Sequence, residues 1–163
     1  MGGKVVVDSG TGEFYLSIPG EGNMEMPLVA EGLRKLAMLA RLISTGVLLD
    51  KGYLLWDEPE TNMNPKLIKV LARSILTLCQ QGIQVFIATH SLFLMRELEM
   101  LLQDAPFQSL APRYFALKAS GLGKPTELEQ SADLYDIKTL VLLDEELHQS
   151  DRFMAVEGLH ARD

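Results

Sequence analysis

The chain of 163 residues has a single cysteine and no long apolar run. One cysteine, Cys79, excludes an internal disulfide framework, and we interpret it as a small core residue in a reducing compartment. No apolar segment reaches the roughly 20 residues that a membrane-spanning helix needs. The N-terminus also lacks the charged-then-apolar layout of a signal peptide. We therefore expect a cytoplasmic protein that makes no contact with a membrane.

An excess of positive charge is also missing. The chain carries 15 Lys and Arg against 22 Asp and Glu, which gives a formal net charge of −7. This balance argues against a broad electropositive surface for nucleic acid, although a local basic patch, or DNA binding through a partner, stays open. Apolar residues make up 47% of the chain, which is typical of a globular domain with a real core.

The spacing of apolar residues predicts strands that alternate with helices. A hairpin is expected over Lys4–Asp8 and Glu13–Ile18, and a Gly- and Pro-marked loop over Pro19–Pro27. Next come a helix from Val29 to about Ile43, a buried strand Tyr53–Trp56, a helix from Pro65 to about Leu78, a buried strand Ile83–Ala88 and a helix Leu92–Leu102 capped by Ser91. Two strands, Arg113–Lys118 and Thr126–Gln130, and an acidic helix, Ile137–His148, complete the pattern.

Strands joined by helical crossovers are parallel neighbours, so the predicted fold class is α/β. We expect one domain over residues 1–163. It divides into a hairpin and loop (1–27), a core (28–103) and C-terminal strands with the acidic helix (104–163).

Polar residues with chemical potential follow both buried strands. The first strand runs into Asp57, Glu58 and Pro59, and the second ends on Thr89, His90 and Ser91. The carboxyl ends of parallel strands are where open α/β sheets bind ligands. Asp57 can hold Mg²⁺, and Glu58 can orient an attacking water, because neighbours on an extended strand project to opposite faces. His90 can donate a hydrogen bond to a phosphate. The simpler alternative is a charged strand end and a histidine beside a helix cap.

These segments resemble the motifs of one family. Leu54–Glu60 resembles the Walker B motif of ABC-type ATPases, Asn62–Pro65 resembles the D-loop that follows it, and Ala88–Ser91 resembles the switch-histidine loop. Leu28–Leu36 lies where that family carries its signature motif. The set as a whole resembles the AAA-type ATPases related to the overcoming-lysogenization-defect and DNA-repair ATPases.

The resemblance implies ATP and Mg²⁺ as cofactors and a role for each matching residue. Asp57 would bind Mg²⁺, Glu58 would be the general base, and His90 would sense the γ-phosphate. Glu31 and Gly32, in the signature segment, would meet a nucleotide held by another protomer, and Asn64 would act in the D-loop. The signature therefore implies a head-to-tail homo- or heterodimer. Two positions depart from the family pattern: Ala30 replaces the usual serine, and Asn64 replaces an Asp or His.

A phosphate-binding loop, Gly-x-x-x-x-Gly-Lys-Ser/Thr, is absent from the sequence. The three nearest approximations are interpreted as turns: Gly2–Lys4, Ser9–Glu13 and Gly121–Lys124. We therefore expect a partial, three-layer P-loop NTPase fold, the C-terminal half of an ABC-type ATPase head. Such a half needs a Walker A-bearing protein or a homologous ATPase half as its partner. The alternative is a non-catalytic interaction module, or a remnant that retains the fold without ATPase activity. In either case the incomplete sheet should expose an edge or an apolar face.

Overall fold

The computed structural model describes residues 3–7, 14–20, 22–25, 31–121, 123–138, 145 and 148–154. The chain falls into two compact units, 1–107 and 108–163. The expectation of a single domain, with divisions after residues 27 and 103, stays a prediction. In order, the first unit contains β1 (Lys4–Val7), β2 (Phe14–Ile18), β3 (Gly22–Glu25), α1 (Glu31–Ser44), α2 (Val47–Lys51), β4 (Tyr53–Asp57), α3 (Pro65–Gln80), β5 (Gln84–Ala88) and α4 (Leu92–Leu102).

The N-terminal strands form an antiparallel sheet in the order β1-β2-β3. The predicted hairpin is confirmed, since Val6 pairs with Tyr15. The expectation of a loop over residues 19–27 was wrong in its middle part. Residues 22–25 form β3, in which Met24 pairs with Leu16 of β2. The physical reason is a tight turn at Gly20, whose φ of 87° favours glycine. The Pro19-Gly20 pair therefore reverses the chain at once and lets it return along β2.

The predicted helices are confirmed as α1, α3 and α4, and their ends follow from local chemistry. Pro65 occupies the first turn of α3, where its missing N–H costs nothing, and Asn64 Oδ1 accepts a hydrogen bond from Lys66 N at 2.9 Å. Ser91 Oγ caps α4 by accepting from Leu94 N at 3.2 Å. The sequence interpretation missed α2, which is only five residues long and buries Leu48.

Strands β4 and β5 form a parallel pair in which Asp57 lies opposite Ala88. This pair confirms the expected α/β arrangement. One face of the pair packs on the helices, and Trp56 and Val85 contact both clusters of buried side chains beneath it. These clusters are Ile68, Leu71, Ala72, Ile75 and Leu94 on α3 and α4, and Leu39, Leu48, Leu78 and Ile83 from α1, α2, α3 and the position just before β5.

The opposite face of the β4–β5 pair is apolar and exposed, as expected for an incomplete sheet. Tyr53 is 53% exposed, Leu55 69% and Phe86 47%. Burial alternates strictly along both strands, so these side chains share one face. Parallel strands are normally covered on both faces. This bare sheet face, defined by Tyr53, Leu55 and Phe86, therefore departs from the usual architecture.

The second unit contains the antiparallel pair β6 (Tyr114–Lys118) and β7 (Glu127–Ser131), followed by a 3-10 turn at Leu134–Asp136. Both strands were predicted. The predicted start of the acidic helix at Ile137 was wrong, because Ile137 is extended and Lys138 N donates to the Glu129 carboxylate at 3.1 Å. Residues 145 and 148–154 are helical, whereas 139–144 and 146–147 lie outside the described residues. Among the described helices, none has the length and apolar character needed to cross a membrane.

Candidate functional site

The parallel register brings the polar ends of β4 and β5 together. Asp57 is the last residue of β4 and lies opposite Ala88, the last residue of β5. Two loops leave these strand ends: residues 58–64, called the acidic loop, and residues 89–91, called the histidine loop. Asp57 is exposed, in alternation with Tyr53 and Leu55. The structure therefore brings Asp57, Glu58 and His90 to one edge of the sheet.

Glu58 has an uncommon backbone conformation. Its φ is 42°, in the left-handed region that side chains other than glycine rarely occupy. Its N–H donates to Ala88 O at 2.8 Å, and its carbonyl accepts from Thr61 N at 3.2 Å. The premise that Glu58 continues an extended strand was therefore wrong. Such a conformation costs about 1–3 kcal/mol and typically occurs where surrounding contacts enforce it, as at active sites.

Both carboxylate oxygens of Glu58 have a hydrogen-bond partner. His90 Nδ1 donates to Oε1 at 2.7 Å, and Thr61 Oγ1 donates to Oε2 at 3.0 Å. The His90 and Glu58 side chains are 69% and 43% exposed, so solvent and ligands reach the pair. Sequence reasoning placed Glu58 and His90 at the same edge but predicted neither their direct contact nor the role of Thr61. A carboxylate beside an imidazole is an arrangement suited to proton transfer and to orienting water.

Lys35 supports the acidic loop from helix α1. Its Nζ donates to the carbonyl oxygens of Thr61 at 2.9 Å, Glu58 at 3.2 Å and Pro59 at 3.4 Å. Sequence reasoning missed this residue. The available signal was helical spacing, because Gly32, Leu36 and Leu39 place Lys35 at the border of the core-facing side of α1. A half-buried lysine at that position needs acceptors, and the turn of the acidic loop supplies them.

The start of α1 packs on the second half of the acidic loop. Asn62 Nδ2 donates to Glu31 Oε2 at 2.8 Å. Gly32 is buried, and a Cβ atom there would lie 3.1 Å from Met63 Cγ and 3.4 Å from Met63 Cα. The structure thus places Glu31 and Gly32 against residues 62–63, where Gly32 permits a close approach. It places Asn64 at the N-cap of α3.

The approximations to a phosphate loop differ in what the structure describes. Lys124 N donates to Gly121 O at 3.1 Å, and both Gly121 and Gly123 have positive φ. That segment is a turn, as predicted. Residues 1–2 and 8–13, which carry the other two approximations apart from Gly3 and Lys4, lie outside the described residues.

Comparisons with known proteins give a family and a fold. A family model described as "AAA domain, putative AbiEii toxin, Type IV TA system" matches residues 2–96, more than half of the chain. A solved structure from work on ATP-driven dimerization and DNA stimulated activation of SMC ATPases has a TM-score of 0.60 and 14% identity. The alignment covers 92% of this chain and 82% of that chain. No curated protein matches the chain. The low identity makes the structural likeness evidence of a shared fold.

Proposed function

This chain belongs to the AAA domain family whose model matches residues 2–96, and we propose that it is an ATP-hydrolysing component that supplies one half of an ATPase site. The observation that carries the proposal is the Glu58–His90 contact of 2.7 Å beside the exposed Asp57. Three groups suited to nucleotide hydrolysis thus converge at the carboxyl ends of two parallel strands, where α/β sheets bind ligands.

Each of the three residues fits one part of the reaction. Mg²⁺, when bound, neutralises phosphate charge, and it is commonly held by one or two carboxylates together with waters and phosphate oxygens. Asp57 is the exposed carboxylate for this purpose. In the described part of the chain no group of three His, Cys, Asp or Glu side chains could hold a metal alone, so phosphate oxygens would complete the set. Glu58 orients the attacking water and accepts its proton, and His90 donates to the γ-phosphate.

The ABC-type likeness extends the proposal to a dimer. Glu31 and Gly32 begin α1, and the N–H groups of a first helical turn attract anions. In the proposed dimer this turn meets the γ-phosphate of a nucleotide held by the other protomer, with Asn64 in the D-loop. The Glu31–Asn62 hydrogen bond of 2.8 Å supports coupling between the helix start and the acidic loop.

The bare sheet face supports the proposal that a further lobe covers it in the complete ATPase. A parallel pair needs cover on both faces, yet Leu55 is 69% exposed. The sequence also lacks the glycines and lysine that anchor phosphates. We propose that a Walker A-bearing protein, or a homologous ATPase half, covers this face and brings its phosphate loop beside Asp57. The reaction would take place in the cytoplasm, and any DNA would be bound through the partner.

The test is reconstitution with a lobe of an SMC-type ATPase that carries Gly-x-x-x-x-Gly-Lys-Ser/Thr. The mixture should hydrolyse MgATP, and Glu58→Gln should lower kcat by at least about a hundredfold because the general base is lost. Absence of turnover in the wild-type mixture, or equal turnover with Glu58→Gln, would refute the proposal.

A docking variant separates the bare sheet face from the chemistry. Leu55→Asp should prevent association with the lobe, measured by analytical ultracentrifugation. Because Leu55 is exposed, the substitution should change the unfolding free energy of the chain alone by less than about 0.5 kcal/mol. Lys51→Asp, an exposed position in α2 near the start of β4, is the matched control and should leave association intact. Equal association of the two variants would exclude docking at this face.

A non-catalytic interaction module is the second candidate, and the missing phosphate loop together with the bare sheet face favours it. This function predicts association with the lobe that is insensitive to MgATP and to Glu58→Gln. It also predicts no MgATP-dependent rise in melting temperature of the complex. A ligand at a hundredfold excess over its Kd adds about 2.7 kcal/mol of stability, so a clear rise would decide for nucleotide binding.

A further inference from the structure

Glu60 is a buried carboxylate within the acidic loop. It is 7% exposed, and its two oxygens differ: Oε1 accepts a hydrogen bond from Thr89 Oγ1, whereas Oε2 has no partner within the described part of the chain. The other buried carboxylate among the described residues is Glu97 on α4, and its Oε1 lies 3.6 Å from Lys69 Nζ. Burying a carboxylate without a cation is unfavourable, and an apolar side chain would fill the space at lower cost. Stability therefore does not account for Glu60.

The Glu60–Thr89 hydrogen bond joins the acidic loop to the histidine loop. Thr89 Oγ1 also accepts from Ser91 N at 3.0 Å, so its own proton is directed to Glu60. Ser91 Oγ in turn accepts from Leu94 N at the start of α4. His90 thus lies between two residues whose side chains are both held by hydrogen bonds.

Two side-chain contacts therefore connect the same two loops, and they differ in exposure to solvent. The exposed contact is Glu58–His90, which solvent and ligands reach. The second contact is Glu60–Thr89, in which Glu60 is buried and Thr89 is half-buried, so it is shielded from solvent better than the Glu58–His90 contact is. The backbone hydrogen bond from Glu58 N to Ala88 O, at 2.8 Å, lies beside both.

We propose that Glu60 and Thr89 are positioning residues, which hold His90 within hydrogen-bond reach of Glu58. The inference rests on the proposed function only for the chemical roles of Glu58 and His90. The Glu58–His90 contact is present in the structure whatever that function is. Neither Glu60 nor Thr89 touches the reacting atoms. Their pairing requires a hydroxyl at position 89 and an acceptor oxygen at position 60. The cost of burying the carboxylate is offset by a fixed distance between the two loops.

The first test uses the full chain without nucleotide and the ¹⁵N shifts of the His90 ring, identified by their loss in His90→Gln. These shifts report which ring nitrogen carries the proton. Wild type should show the Nδ1–H form, since Nδ1 donates to Glu58. Thr89→Val removes the hydroxyl at nearly constant shape and should shift His90 toward the Nε2–H form. Glu58→Ala, which removes the acceptor, should cause the same shift. Thr89→Ser keeps the hydroxyl and should keep the wild-type spectrum.

Glu60→Met separates positioning from stability. Replacing a buried carboxylate that has no neighbouring cation by an apolar side chain should leave the melting temperature unchanged or raise it. The same variant should lose the wild-type His90 shifts. In the reconstituted ATPase it should lower kcat on the order of a hundredfold, with KM unchanged, because a displacement of about 1 Å has that effect.

Folded Thr89→Val and Glu60→Met chains that both retain the wild-type His90 shifts would overturn the inference. A wild-type mixture without ATP turnover would refute the proposed function instead, because the nucleotide-free spectra would still decide on positioning.

Discussion

Lys35→Met is the substitution that most directly tests how helix α1 supports the acidic loop. Lys35 Nζ donates to three carbonyl oxygens, those of Thr61, Glu58 and Pro59, at distances from 2.9 to 3.4 Å. Methionine has a similar length and retains the packing of the aliphatic stem, but it has no donor. The three carbonyls belong to the turn that begins at the left-handed Glu58, so removing their common donor should loosen the turn that holds the candidate base.

The expected loss follows from the geometry. A hydrogen bond to a charged donor contributes about 1.5–3 kcal/mol, but Lys35 is only half-buried, and water can replace part of what is lost. We therefore expect a decrease in unfolding free energy of about 2 kcal/mol for the three contacts together. With a urea slope of about 2 kcal/mol per molar, the unfolding midpoint should fall by about 1 M.

Tryptophan fluorescence is the assay, because the chain has one tryptophan, Trp56, which precedes Asp57 on β4. The matched control is Arg34→Met, which removes a positive charge from the exposed neighbouring position of α1 and should change the free energy by less than about 0.5 kcal/mol. Equal urea midpoints for the two variants would refute the assigned role of Lys35.

Two further predictions concern backbone strain and pH. Asn62 has φ of 60° and donates to Glu31, so Asn62→Ala should destabilise the chain by about 1 kcal/mol more than Asn62→Gly in urea unfolding, since both lose the hydrogen bond but only alanine is strained. Equal losses would show that strain at this position is negligible. Burial raises the pKa of the Cys79 thiol above its ordinary value of 9.0, so the folded chain keeps this proton at a pH where the unfolded chain releases it. The unfolding free energy should therefore fall more steeply between about pH 8 and pH 10 in wild type than in Cys79→Ala, and identical slopes would contradict this assignment.

Local signals were sufficient for most of the fold and for part of the site. Apolar runs that end in turn residues located β4 and β5, while Pro65 and the cap residue Ser91 located the starts of α3 and α4. Once the strands are parallel and in register, Asp57 and His90 must come to the same edge. Residues whose position depends only on a strand end are therefore predictable from a single sequence.

Long-range partners were not predictable in this way. Lys35 and Thr61 lie 26 positions apart, and Glu60 and Thr89 lie 29 apart. Their pairing depends on how α1 and the two loops pack, which no local pattern encodes. The left-handed Glu58 likewise follows from contacts with Ala88 and Thr61 rather than from its own preference, since glutamate disfavours that conformation.

The contacts of the Glu58 carboxylate determine what this candidate base can do before a nucleotide arrives. Both oxygens of Glu58 are engaged, one by His90 and one by Thr61, and a carboxylate that accepts from two donors is less available to a water. On the proposed function, His90 leaves Glu58 when it donates to a γ-phosphate, and that exchange frees Oε1 for the attacking water. On the same proposal, a partner lobe would hold the phosphates, because the chain's sequence has no phosphate loop. Hydrolysis would thus depend on assembly with the partner in two ways. The partner would hold the nucleotide, and the γ-phosphate of that nucleotide would draw His90 away from Glu58.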